Sequence, residues 1–106
     1  MTRPTRCRRI CMEPAYDSFF PDGVLTGEEV IMTLDEYETI RLIDLEEYTQ
    51  HECAKQMNIS RTTVAEIYKS ARYKMADSVV NGKQLLITGG NYQFCDGMTS
   101  PFCKKH

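Results

Sequence analysis

The stretch from Thr49 to Ile67 constrains the fold more than any other part of the chain. Thr49 and Glu52 have the T-x-x-E spacing of a capping box, in which each side chain satisfies an orphan N–H at a helix start. A short helix from Gln50 to Met57 follows, with Cys53, Ala54 and Met57 on its inner face. Asn58 then stands where a helix ends in the left-handed conformation, which Asn tolerates better than most residues. Two residues on, Ser60 caps a second helix. In it Val64, Ile67, Ala71 and Met75 recur at spacings of three, four and four, a single buried stripe. Two helices joined by so tight a turn form a helix-turn-helix. The small Ala54 lies where the helices approach, Val64 is buried beneath the first of them, and Ile59 and Ile67 complete the core.

The rest of the chain supplies a third helix and a few short strands. Thr33 is an N-cap, with Asp35 and Glu36 in the first turn of a helix running to about Glu47. Its apolar stripe is Leu34, Tyr37, Ile40 and Leu45, widened by Leu42, and Asp35, Glu36, Glu38, Asp44, Glu46 and Glu47 are expected mostly in solvent. The long helix from Arg61 ends near Val80, capped by Asn81-Gly82. Residues 8–12, 29–33 and 84–88 read as short strands, FFPDG at 19–23 as a turn, and Gly89-Gly90 as a strand end. Tyr37, Tyr48, Tyr68 and Tyr73 fall at helical spacings suited to core or edge packing. The fold class is mainly α: a three-helix helix-turn-helix core with a small β element from the N- and C-terminal flanks. Residues 1–92 form that single domain with an Arg-rich N-terminal arm, and 93–106 a Cys-containing tail.

Charge decides where a polyanion can sit. The net charge is −2 over 106 residues, which by itself disfavours nucleic acid. The distribution is uneven: residues 1–12 hold four Arg and no acid, and residues 13–54 hold twelve acids and only Arg41. Residues 55–75 then hold Lys55, Arg61, Lys69, Arg72 and Lys74 against Glu66 alone. Any nucleic-acid face must therefore be local.

The segment NISRTTV, residues 58–64, begins a helix with Arg61, Thr62 and Thr63. A helix start has unpaired N–H donors and favours negative charge, so a cationic polar first turn suits contact with phosphate and base edges. In a major groove, Arg61 suits guanine or phosphate, Glu66 accepts from cytosine N4, and Thr62 and Thr63 reach phosphate or a thymine methyl. Lys69, Arg72 and Lys74 would reach the backbone. Arg3 and Arg6 suit a minor groove in a flexible arm; alternatively Arg8 and Arg9 pair with the acidic first helix. The competing reading is a protein-interaction module of the transcription machinery that works through the acidic helix 34–47.

The segments RRIC, FFPDGV, TLDEYETIRLIDLEE, SRTTV and VNGKQLLITGGNY closely resemble the pattern of uncharacterised protein family 0251, the domain of unknown function 134. The resemblance covers roughly residues 3–92. It implies a prokaryotic DNA-binding protein whose helix-turn-helix is similar to that of sigma factor region four, with no known ligand or target.

Cys7 and Cys11 are spaced C-x3-C, and Cys95 and Cys103 C-x7-C with His106 three beyond. If the strands near 8–12 and 84–88 pair, four thiolates, or three with His106, make a tetrahedral site for zinc or another thiolate-bound metal; a redox pair is the alternative, and either would make the protein a metal- or redox-responsive regulator. The spacings are wider than the C-x2-C of zinc ribbons. Cys53 reads as a small buried hydrophobe and His51 as exposed. With no phosphate loop and no catalytic constellation, the expectation is a non-enzyme: a cytoplasmic homodimer on double-stranded DNA, with no membrane segment and no signal peptide. The strand edge and the long helix are both candidate dimer surfaces.

Overall fold

The computed structural model describes residues 8–10, 13–23, 27–90 and 92–94. In order the elements are β1 (Arg8–Ile10), β2 (Ser18–Phe19), β3 (Glu29–Met32), α1 (Leu34–Ile40), a π-helical turn (Arg41–Leu45), α2 (Gln50–Met57), α3 (Arg61–Asn81), β4 (Gln84–Ile87) and β5 (Tyr92–Phe94). The mainly α architecture with a small β element is the one expected. No helix among the described residues is long and apolar enough to cross a membrane.

The helix boundaries follow the local chemistry. Thr33 caps α1 and Glu36 reaches back to its N–H, a complete capping box; Thr49 and Glu52 repeat the arrangement on α2. Asn58 ends α2 at φ 62°, Ser60 accepts from the Thr63 N–H to start α3, and Gly82 ends α3 at φ 64°. The end of α1 departs from expectation. After Ile40 the backbone widens into one π turn, closed by Glu46 N–H donating to the Arg41 carbonyl at 2.9 Å, and the chain reverses at Glu47 with φ 62°. The π turn rotates each residue less than an α turn does. Leu42 is therefore buried, whereas Leu45, expected in the apolar stripe, is exposed.

β4 is the middle of a three-stranded sheet, parallel to β3 (Val30 opposite Leu85, Met32 opposite Ile87) and antiparallel to β2 (Phe19 opposite Leu85). Both its edges are taken, so it cannot pair with β1 as the sequence suggested. Beyond β4 the chain turns through Gly89 and Gly90, and β1 runs parallel to β5 instead, Arg8 opposite Tyr92 and Ile10 opposite Phe94. β5 itself was not expected from the sequence, which placed residues 93–106 in a tail. The glycine turn is required by close packing against α1. Gly89 accepts from the Leu34 N–H at 2.9 Å, and a Cβ on Gly90 would lie 2.6 Å from Asp35 Oδ1 and 2.7 Å from the Thr33 Cβ.

Two apolar clusters meet along α3. Ile10, Met32, Leu34, Ala71 and Ile87 form one, beneath the sheet. Leu42, Cys53, Ala54, Met57 and Val64 form the other, between the helices. The long helix is the shared wall, with Val64 at one end and Ala71 further along. Met75, expected as the fourth member of its stripe, is exposed because the helix has by then run past the core. Tyr37 and Tyr48 pack against the clusters as expected, but Tyr73 is exposed. Burial pushes the Cys53 thiol up to about 12, with the Glu38 charge adding to the effect. Cys53 therefore remains a protonated, apolar filler that donates to the Met57 sulfur at 3.7 Å.

Candidate nucleic-acid interface

The corner between α2 and α3 presents one end of α3 to the outside. Val64 is fully buried and Ala54 nearly so, so the inner face of the α3 start is held against α2. The opposite face carries Arg61, Thr62, Glu66, Lys69 and Arg72, all exposed. At 100° per residue these five, with Ala65, share one side of the helix. Ser60 caps the Thr63 N–H, leaving the N–H groups of Arg61 and Thr62 without intrahelical acceptors. The turn is therefore polar, cationic and rich in donors.

Thr63 and Lys74 depart from the sequence reading, while Arg72 is outward but held by a neighbour. Thr63 is half-buried and its hydroxyl is 2.8 Å from that of Ser60, so it belongs to the cap more than to the outer face. Arg72 lies 5.3 Å from the Tyr68 ring centroid, a cation–π contact that steadies a long side chain, and the Tyr68 hydroxyl in turn donates to Asp44 at 2.7 Å, which raises the Tyr68 pKa. Lys74, expected to reach the DNA backbone, points inward: its ammonium is 2.8 Å from Glu36 Oε1. Arg3 and Arg6 lie outside the described residues, as do Cys7, Cys11, Cys95 and Cys103 of the possible metal site.

The acids of α1 do not face solvent as expected, because the inner side of the helix is built around them. Asp35, Glu36 and Glu38 are all buried. Glu36 closes its capping box through the Thr33 N–H and accepts from the Ser70 hydroxyl at 2.6 Å and from Lys74. Burial raises its pKa, but Lys74, Ser70 and the Thr33 N–H together outweigh it, and the carboxyl is held below its usual range. Glu38 accepts both arms of the Arg41 guanidinium at 2.9 Å, the fork geometry that suits Arg to a carboxylate. Glu36 is thus both the cap of α1 and the clasp that holds α3. The sequence signal for it is the T-x-x-E spacing of Thr33 and Glu36, the same as that read at Thr49 and Glu52.

Arg9 does not pair with the acidic helix. Its Nε donates to the Gln56 carbonyl at 2.8 Å and its Nη2 to the Lys55 carbonyl at 3.2 Å. A cation at carbonyls that end a helix complements the macrodipole. This fixes β1 to the end of α2, next to the turn that precedes Arg61.

Comparison with known proteins places this arrangement in a family. The family model described as "Protein of unknown function DUF134" matches residues 1–95. A UPF0251 protein of Desulfitobacterium hafniense is 55% identical over 100 residues, covering 92% of this chain and 80% of its own length. One from Thermoanaerobacter pseudethanolicus is 48% identical over 98 residues, covering 91% and 83%, and one from Pelotomaculum thermopropionicum is 43% identical over 100 residues, covering 92% and 76%. No solved structure matches. On the family match and these identities together, the chain belongs to the DUF134 (UPF0251) family.

Proposed function

We propose that the protein is a sequence-specific DNA-binding transcriptional regulator that lays the outer face of α3 in the major groove. The observation that carries this reading is the start of α3. It is capped by Ser60 and anchored by buried Val64. Outward it presents Arg61, Thr62, Glu66 and Lys69, residue types able to contact guanine, phosphate, cytosine and thymine methyl groups. The inward placement of Glu36 and Glu38 weighs against the acidic helix as a working face, because both are committed within the domain.

One recognition helix reads only a short site, and two-fold pairing is the usual remedy. The surface that suits a second copy is the apolar one at the far end of α3. Phe19, Tyr73, Val79 and Val80 are exposed there, beside a cleft of about 340 Å³ lined by Phe19, Tyr37, Ile40, Met75, Val79 and Leu85. A dimer through that end leaves both Arg61 ends free for DNA. In this reading the protein binds and does not catalyse.

The test is binding selection: the purified chain is mixed with sheared DNA from its source genome at physiological salt, and the retained fragments are sequenced. A recurring, roughly palindromic site is expected. A folded protein that enriches no fragment over input would overturn the proposal.

A further inference from the structure

Beside Arg61, on the side away from the core, lies an open cleft of about 480 Å³ lined by Arg9, His51, Lys55, Asn58 and Arg61 among others. None of the first four belongs to the outer face of α3. The cleft collects residues from β1, from one side of α2, from the turn and from the start of α3. Of its three permanent cations, Lys55 and Arg61 flank the turn, and Arg9 comes from 46 residues before Lys55. Among the described residues, no carboxylate is within ion-pairing distance of Arg9, Lys55 or Arg61.

Arg9 is the distinctive member. It is half-buried, and its two bonds to the carbonyls of Lys55 and Gln56 fix the guanidinium without neutralising it. A guanidinium has five N–H donors and keeps its charge at any pH a protein survives, and these bonds engage two of the donors. Lys55 and His51 stand one helical turn apart on the exposed side of α2. Arg61, which lines the cleft, is also the first residue of α3, so its own N–H has no helical acceptor. Three cations gathered at a helix start, with no carboxylate paired to them among the described residues, suit an oxyanion of high charge.

We infer that this cleft is a phosphate-binding site, and that it seats one phosphate of the DNA strand beside the groove that α3 enters. The second half of the inference rests on the reading of α3 as a DNA-binding helix. The physical sense is positional. A base-reading helix needs its register fixed by backbone contacts on a rigid part of the protein, and a cleft that spans α2, the turn and α3 fixes all three at once.

The experiment uses the full chain, labelled with 15N, and the Lys55→Ala and His51→Gln variants. Both positions are exposed, and matched thermal melts check that both variants fold. Inorganic phosphate is titrated at constant ionic strength, with chloride as the control. Saturable shifts at the amides from Lys55 to Arg61, weakened several-fold in Lys55→Ala, are expected. Phosphate shifts no larger than those of chloride would overturn the site. In parallel, affinity for duplex DNA is measured against salt concentration. Losing one phosphate contact should make the log–log slope shallower by about 0.9 in Lys55→Ala. An unchanged slope beside positive phosphate shifts would overturn the DNA assignment and mark the cleft as a site for a free phosphate compound. If the unmodified chain binds no DNA, the proposed function fails, and the phosphate titration alone decides the site.

Discussion

Two helix starts in this protein share one sequence device and use it differently. α1 and α2 both begin with T-x-x-E, and in both the Thr caps the third N–H while the Glu returns to the Thr N–H. At α2 the box is exposed, with Glu52 N–H donating to Thr49 at 3.0 Å and Thr49 N–H to Glu52 at 2.8 Å. At α1 the Glu is buried, and beyond its cap it takes Ser70 and Lys74, 34 and 38 residues away. A local motif can therefore be only local, or it can become the join between two elements. What separates the cases is whether a long helix with complementary donors packs over it.

The largest expected break in that contrast is Arg41→Ala. Glu38 is fully buried and takes two arms of that guanidinium. Leaving a buried carboxylate without its counter-ion typically costs about 3–5 kcal/mol. Denaturant unfolding of the variant measures it, and a loss under about 1 kcal/mol would mean that Glu38 is held mainly by other groups.

Glu36→Gln comes next. It keeps the shape and removes the charge, and hydrogen bonds to a charged group contribute about 1.5–3 kcal/mol. The effect should depend on pH in a defined direction. The folded carboxyl sits below its ordinary value of 4.5, so its ionised form stabilises the fold above about that pH. The contribution is lost as pH falls through the folded value. The gap between parent and variant should accordingly be widest at neutral pH and close in acid. A gap that widens in acid would contradict the clasp.

Thr49→Ala should be the smallest, because the box it breaks is exposed and touches nothing distant. A cap of this kind contributes about 1 kcal/mol. If Thr49→Ala proves as costly as Glu36→Gln, the distinction between a local and a joining box does not hold.

What was legible in the sequence follows the same division. The ends of α2 and α3 could be read residue by residue, because Thr49, Asn58, Ser60 and Gly82 each act on backbone within three or four positions. Burial of Ala54 and Val64 was legible through helical period. The acids of α1 were not, because periodicity assigns charge to solvent and is blind to a partner 38 residues on. Two signs were present: the repeated T-x-x-E at Thr33, and a single Arg among twelve acids, three residues after Glu38. The π turn left no sign, and it moved Leu45 out of the stripe. β1 was read as a strand, but its partner could not be, since pairing in a small sheet depends on which strand takes the middle. In the candidate interface, Arg61, Thr62, Glu66, Lys69 and Arg72 stand outward as the helix phase required, whereas Lys74 turns inward to a group that sequence had placed elsewhere.

That last pair offers the most direct measurement. Lys69 and Lys74 are cations on one helix, five residues apart, one exposed and one bound to Glu36. Affinity for duplex DNA across a salt series, with a thermal melt, is measured for Lys69→Ala and Lys74→Ala. Lys69→Ala should make the salt slope shallower by about 0.9 and leave the melt unchanged. Lys74→Ala should lower the melting midpoint, by about 4–8 °C for each kcal/mol lost, and leave the slope unchanged. A slope that ignores Lys69, or one that answers to Lys74 instead, would contradict the assignment of the outer face of α3 to nucleic acid.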